Sequence, residues 1–153
     1  MAGNSTEMRF MTGDSELFLI DTNILVYSYD KDEPSKRSKA EELLSKCFSG
    51  DVPLAISNQN LAEFVYVTTR KSKLSFDRAM VNVNDISNSK NFMKLNYDAD
   101  TIILAIKIAS EFKTPFWDSL LAATMKENGI FNIYTENVND FKMPWIKAVN
   151  PLK

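Results

Sequence analysis

An apolar run, Leu17-Phe18-Leu19-Ile20, stops at the polar triplet Asp21-Thr22-Asn23 and resumes at Ile24-Leu25-Val26-Tyr27. Successive side chains of a strand point to opposite faces, so four apolar residues in a row make a strand covered on both sides. Strands of that kind belong to sheets held between helices. The chain goes on to alternate such runs with stretches of helical periodicity. Leu54-Ala55-Ile56, Phe92-Met93-Lys94-Leu95, Phe131-Asn132-Ile133-Tyr134 and Ala148-Val149 read as further strands.

Between them, Ile24 to Tyr27 opens a short helix. Pro34 suits the first turn of a second, with Ala40, Leu43, Leu44, Cys47 and Phe48 at helical spacing and Gly50 as its stop. Ser57 or Asn58 caps a helix to about Arg70, and residues 75 to 88 form a more polar one. Ala99, Ile102, Ile103, Ile106 and Ala109 mark one face of a helix from Asp98 to about Lys113. A last helix covers roughly Trp117 to Asn128, ending at Gly129. Repeated strand–helix–strand order predicts an α/β domain with a mostly parallel sheet and right-handed crossovers. With 153 residues, 44% hydrophobic and 25% charged, one domain is expected. Residues 1–15 are polar and read as a leader or remnant outside the fold, leaving 16–153 as the domain.

Histidine is absent and there is a single cysteine, Cys47. Serine–histidine and cysteine–histidine nucleophiles, histidine bases and histidine-ligated metals are therefore excluded. One thiol makes no internal disulfide, which points to a reducing, cytoplasmic setting. The net charge of −2 gives no global field for a polyanion, so any nucleic-acid contact must be local. The longest apolar run, Ile102 to Ile106, is far too short to span a bilayer.

Most acids sit among other charges. Three do not. Asp21 ends the first strand, where open α/β sheets keep their ligand sites. Glu63 is the only charge in Leu61-Ala62-Glu63-Phe64-Val65-Tyr66-Val67, and Asp118 lies in Phe116-Trp117-Asp118-Ser119-Leu120-Leu121-Ala122-Ala123. Asp21 and Asp118 each have a helix-capping alternative, and Glu63 an ion pair or an exit to solvent at a groove edge. Burying a carboxylate costs several kcal/mol unless compensated, and no Lys or Arg lies near any of the three in sequence. If they converge, a divalent cation turns repulsion into attraction, and an all-oxygen donor set suits Mg²⁺ or Mn²⁺. After the fourth strand, Thr135, Asn137 and Asp140 in Thr135-Glu136-Asn137-Val138-Asn139-Asp140-Phe141 should open on the same rim. An Asx-rich turn is the structural alternative there.

Leu19-Ile20-Asp21-Thr22-Asn23-Ile24-Leu25, Asn60-Leu61-Ala62-Glu63-Phe64, the Asp118 segment and the Thr135–Phe141 loop, in that order, resemble the four blocks of the PIN domain. The chain is most similar to the toxin ribonucleases (VapC type) of type II toxin–antitoxin systems. The resemblance implies a three-layer α/β domain, a central parallel sheet flanked by helices, acting as a metal-dependent endoribonuclease. Asp21 and Asp118 would ligate Mg²⁺ (or Mn²⁺), Glu63 would orient or deprotonate water, and Thr22, Asn23, Thr135, Asn137 and Asp140 would support the site. It also implies a small antitoxin partner and a homodimer. Many members carry Asp where this chain has Asn137, which keeps open a weakened fold acting as an RNA- or protein-binding module, with Asp140 as a replacement acid. A haloacid-dehalogenase-like phosphatase needs a second Asp at Asn23, and a receiver domain needs an acidic pair after the first strand. Neither is present.

Three finer expectations follow. The helix N-terminus at Asp118 should keep that carboxylate ionised at neutral pH. Lys31, Lys36, Arg37 and Lys39, and Arg70, Lys71 and Lys73, are two clusters available for RNA backbone. Tyr27, Tyr29 and Trp117 are candidates for base stacking, with packing in the core or a dimer as the alternative for Trp117.

Overall fold

The computed structural model describes residues 16–153; the expected leader lies outside them. Five strands form one sheet: β1 (Phe18–Ile20), β2 (Leu54–Ser57), β3 (Phe92–Leu95), β4 (Asn132–Tyr134) and β5 (Lys147–Val149). Their order is β3-β2-β1-β4-β5 and every pairing is parallel, with Leu19 opposite Ala55 on one side and Ile133 on the other. The helices are α1 (Thr22–Tyr27), α2 (Pro34–Phe48), α3 (Asn58–Arg70), α4 (Phe76–Asn88), α5 (Ala99–Phe112) and α6 (Phe116–Glu127), with a 3₁₀ turn over Val138–Asp140.

The apolar runs divide by parity into two cores, which makes the architecture three-layered. Phe18 and Ile20 of β1 join Leu54 and Ile56 of β2 on one face, packed against Leu25, Leu44, Phe64 and Ile86 from α1 to α4. Leu19 and Ala55 point the other way, against Leu121 and Met125 of α6. Leu19 is fully buried, worth about 1.5–3 kcal/mol by removal from water.

The α5 face marked by apolar spacing is a correction. Thr101, Ala105 and Ile108 are the buried residues of α5, whereas Ile103 and Ile106 are 51% and 56% exposed. The helix core is already served by α6, buried continuously from Ser119 to Met125. Small Ala105 permits close approach to it, and the isoleucine stripe is left facing out.

The strand order decides where a site can form. From β1 the chain moves first to β2 and β3, then returns to the other side for β4 and β5. The carboxyl end of β1 is therefore the switch point, and the crevice beside it opens toward β4.

Candidate active site

Asp21 is the first residue beyond β1. Its backbone N–H donates to the Tyr134 carbonyl at 2.9 Å, extending the β1–β4 ladder by one rung and laying Asp21 beside Thr135. The buried Thr135 hydroxyl donates to Asp21 Oδ2 at 2.8 Å, and the Thr22 N–H donates to Oδ1 at 2.8 Å. Asp21 thus caps α1 with one oxygen while Thr135 grips the other. Asn23 Nδ2 stands 3.4 Å from Oδ2.

Glu63 comes from the second turn of α3. A reciprocal capping box between Ser57 and Asn60 fixes the start of that helix. Asn60 Nδ2 also donates to Thr22 Oγ1 at 3.1 Å, and the Thr22 hydroxyl reaches Glu63 Oε2 at 3.5 Å. Gln59, buried on the same turn, donates through Nε2 to Glu63 Oε1 at 2.8 Å and to the Trp117 carbonyl at 2.9 Å. One amide therefore ties Glu63 to the first turn of α6, which carries Asp118. Among the described residues Glu63 has neither the Lys nor the Arg partner allowed for it in sequence.

Asp118 does not cap α6; the cap position is Pro115. Among the described residues no donor reaches the half-buried Asp118 carboxyl. Burial pushes it up to about 7, and the carboxylates of Asp21, Asp140 and Glu63 push the same way. Asp21 is also raised, first by burial, against the lowering hydrogen bonds from Thr135 and Thr22, with Glu63 and Asp140 adding to the rise. The helix terminus does not dominate Asp118 in the protein alone: desolvation and three like charges push against the dipole and bring the carboxyl to titrate about neutrality.

The fourth carboxylate of the rim is Asp140, set by the 3₁₀ turn. Asn137 is exposed and its side chain has no hydrogen bond among the described residues; its backbone N–H steadies the Thr135 hydroxyl at 3.0 Å. Glu136 turns away, ion-paired with Lys36 at 2.7 Å and accepting from the Tyr27 hydroxyl at 2.6 Å.

Among the described residues no three acidic or thiol side chains close tightly enough to enclose an ion by themselves. The donor chemistry nevertheless fits a hard, hydrated dication. Among the described residues no Lys or Arg acts on Asp21 or Asp118, the donors are all oxygen, and buried Gln59 Oε1 has no partner. A cation with two carboxylate ligands and several retained waters satisfies these conditions.

Two further expectations change. In the first basic cluster, Lys36 is held by Glu136, Arg37 by Glu41 at 2.6 Å, and Lys39 by the Leu152 carbonyl at 3.1 Å. Of the aromatics, Tyr29 packs on Phe64 and Tyr27 lies under Lys36, while Trp117 is 60% exposed. The residues missed in sequence are Gln59 and Asn60. Their role depends on partners in other elements, which no local spacing records.

A PIN domain family model matches residues 18–142. The fold is similar to VapC20 of Mycobacterium tuberculosis, a sarcin-ricin loop cleaving toxin, at 21% identity and a TM-score of 0.60, covering 78% of this chain and 88% of that one. A toxin–antitoxin complex from Klebsiella pneumoniae matches at 23% identity and TM-score 0.62, covering 88% and 97%. VapBC2 of Rickettsia felis, bound to a promoter DNA fragment, matches at 21% and 0.61, covering 88% and 98%. No curated protein sequence matches the chain.

Proposed function

The chain belongs to the PIN domain family, and from that premise we propose that it is a divalent-metal-dependent endoribonuclease, the toxin of a toxin–antitoxin pair. The observation that carries this reading is the meeting of Asp21, Glu63, Asp118 and Asp140 at the switch point, with no Lys or Arg among the described residues acting on Asp21 or Asp118.

Asp21 and Asp118 would hold Mg²⁺ or Mn²⁺. When bound, the ion neutralises charge on the scissile phosphate and acidifies a water ligand. Thr135 and the Thr22 N–H keep the Asp21 carboxylate in one rotamer, so little ordering remains when it takes up a ligand. Glu63, aimed by Gln59 and Thr22, accepts the proton of the attacking water. Asp140 adds negative charge that favours the cation-bound state. None of these roles uses the 2′-hydroxyl, so a preference for RNA must arise from contacts outside the rim.

The chain's partners follow the same reading: RNA as substrate, a small antitoxin, since a toxin–antitoxin complex has a similar fold, and a second copy of the chain. The outward stripe of Ile102, Ile103 and Ile106 on α5 supports the homodimer. Among the described residues no helix is long and apolar enough to cross a membrane; the single free thiol, Cys47, suits a reducing cytoplasm. The alternative of an inactive binding module rested on Asn137, and Asp140 supplies the acid that Asn137 lacks. The test is cleavage of single-stranded RNA with and without chelator. Cleavage restored by Mn²⁺ and abolished in Asp118→Asn supports the proposal; cleavage that ignores both treatments overturns it.

A further inference from the structure

A cavity of about 1010 Å³ opens between α2, the 28–32 segment before it, the 71–75 segment after α3 and the start of α4, and none of the four rim carboxylates lines it. Its wall carries Lys31, Arg37, Lys71, Lys73 and Arg78, basic side chains that lie far apart in sequence. Only Arg37 has an ion pair, with Glu41; the other four have none among the described residues. Asp30 and Asp32 are the remaining acids of the wall, and Asp30 already accepts from the Asp32 N–H at 2.9 Å. In a chain of net charge −2, such a local excess of unpaired cations marks an anion site.

Two helices connect this cavity to the acidic rim. Helix α1 is capped by Asp21 at the rim and by Ser28 at the cavity wall; on α3, Glu63 at the rim is followed eight residues later by the C-cap Lys71, also in the wall. At 1.5 Å per residue, each path is about 10–12 Å. Glu63, Tyr66 and Arg70 fall at i, i+3 and i+7, on one face of α3. Tyr66 is 61% exposed, and the Arg70 guanidinium lies over its ring at 4.8 Å. An exposed aromatic followed by cations is the arrangement that takes up a single strand, with bases stacked and phosphates paired.

We propose that this cavity binds the phosphate backbone of the RNA substrate on one side of the cleavage point, with Tyr66 and Arg70 as the track between. The inference rests on the ribonuclease reading above. At about 3.4 Å per nucleotide along a stacked strand, the cavity lies about three nucleotides from the rim. The groove gives a chain without global positive charge its grip on RNA, and Lys31, Lys71 and Arg78 act as binding residues remote from the chemistry.

The experiment measures the affinity of a labelled single-stranded RNA in chelator, over a range of salt, for the full chain and for Lys31→Ala/Lys71→Ala/Arg78→Ala. Every cation–phosphate pairing removed lowers the salt slope by about 0.7 for a single strand. The triple variant should fall by about 2 in slope and bind about 100-fold more weakly at 0.1 M salt. Exposed Lys90, Lys126 and Lys153 changed to Ala should leave the slope alone. If the triple variant fails to fold, the single variants replace it, each expected to fall by about 0.7. An unchanged slope in a protein that still cleaves RNA overturns the groove and leaves the nuclease standing. An unchanged slope with abolished binding of polyglutamate overturns it in favour of an acidic protein segment. Absence of both RNA binding and cleavage in the parent chain overturns both readings.

Discussion

Replacing Asp118 by Asn should stabilise the metal-free protein. The Asp118 carboxyl, ordinarily titrating near 3.8, is pushed up to about 7 by burial and by Asp21, Asp140 and Glu63. The folded state therefore holds a proton that the unfolded state releases. Stability from this group is complete at acid pH, declines as pH climbs from about 4, and is lost by the time it passes about 7. At 1.36 kcal/mol per pH unit the full linkage is about 4 kcal/mol. Asp118 is only partly buried, and solvent screening reduces this to about 1–2 kcal/mol. For a chain of this size that corresponds to about 2–8 °C in melting temperature. Thermal melting in chelator between pH 4 and pH 8 measures it: the Asn variant should melt above the parent at pH 8, and the gap should close toward pH 4. Equal melting temperatures at pH 8, or a gap independent of pH, would refute the picture of a carboxylate held against its neighbours.

Three other perturbations follow from the same contacts. Thr135→Val keeps the shape but removes the hydroxyl that donates to Asp21 at 2.8 Å; a loss of about 1.5–3 kcal/mol is expected at pH 8, and denaturant melts showing full stability would contradict it. Gln59→Leu frees Glu63 and unties it from α6. It should lower kcat between about tenfold and 100-fold with KM for RNA unchanged, so an unaltered kcat would remove Gln59 from the positioning role. Ile103→Asp with Ile106→Asp places two charges on the exposed stripe of α5. Sedimentation should then show a folded monomer in place of a dimer, and a parent chain that is itself monomeric would dismiss that interface.

Where a residue's burial follows from its chain neighbours, the sequence was enough to place it. Asp21 announces itself because apolar runs flank it, and its place at the end of the first strand is where open α/β sheets keep their ligand sites. The bounds of α2, α3 and β3 follow from Pro34, Ser57 and the Phe92–Leu95 run for the same reason. The face of α5 was not legible. Periodicity ranks a helix's stripes by apolarity, while the stripe that packs is chosen by the helix beside it, and small Ala105 fits α6 better than Ile103 does. Gln59 and Asn60 stayed hidden because each reaches across to another element, Trp117 or Thr22. Lys31 and Lys71 stood in two clusters already offered to RNA backbone, but that they share one cavity with Arg78 is set by the fold and not by spacing along the chain. The ionisation of Asp118 likewise depends on charges contributed by three other segments.

The central claim is that carboxylates distant in sequence are gathered at the end of β1 to hold a divalent cation. Anomalous scattering from crystals equilibrated with millimolar Mn²⁺ tests it directly. A peak in contact with oxygens of both Asp21 and Asp118 is expected, absent from the Asp118→Asn protein. A Mn²⁺-soaked crystal with no peak between those two side chains would contradict it.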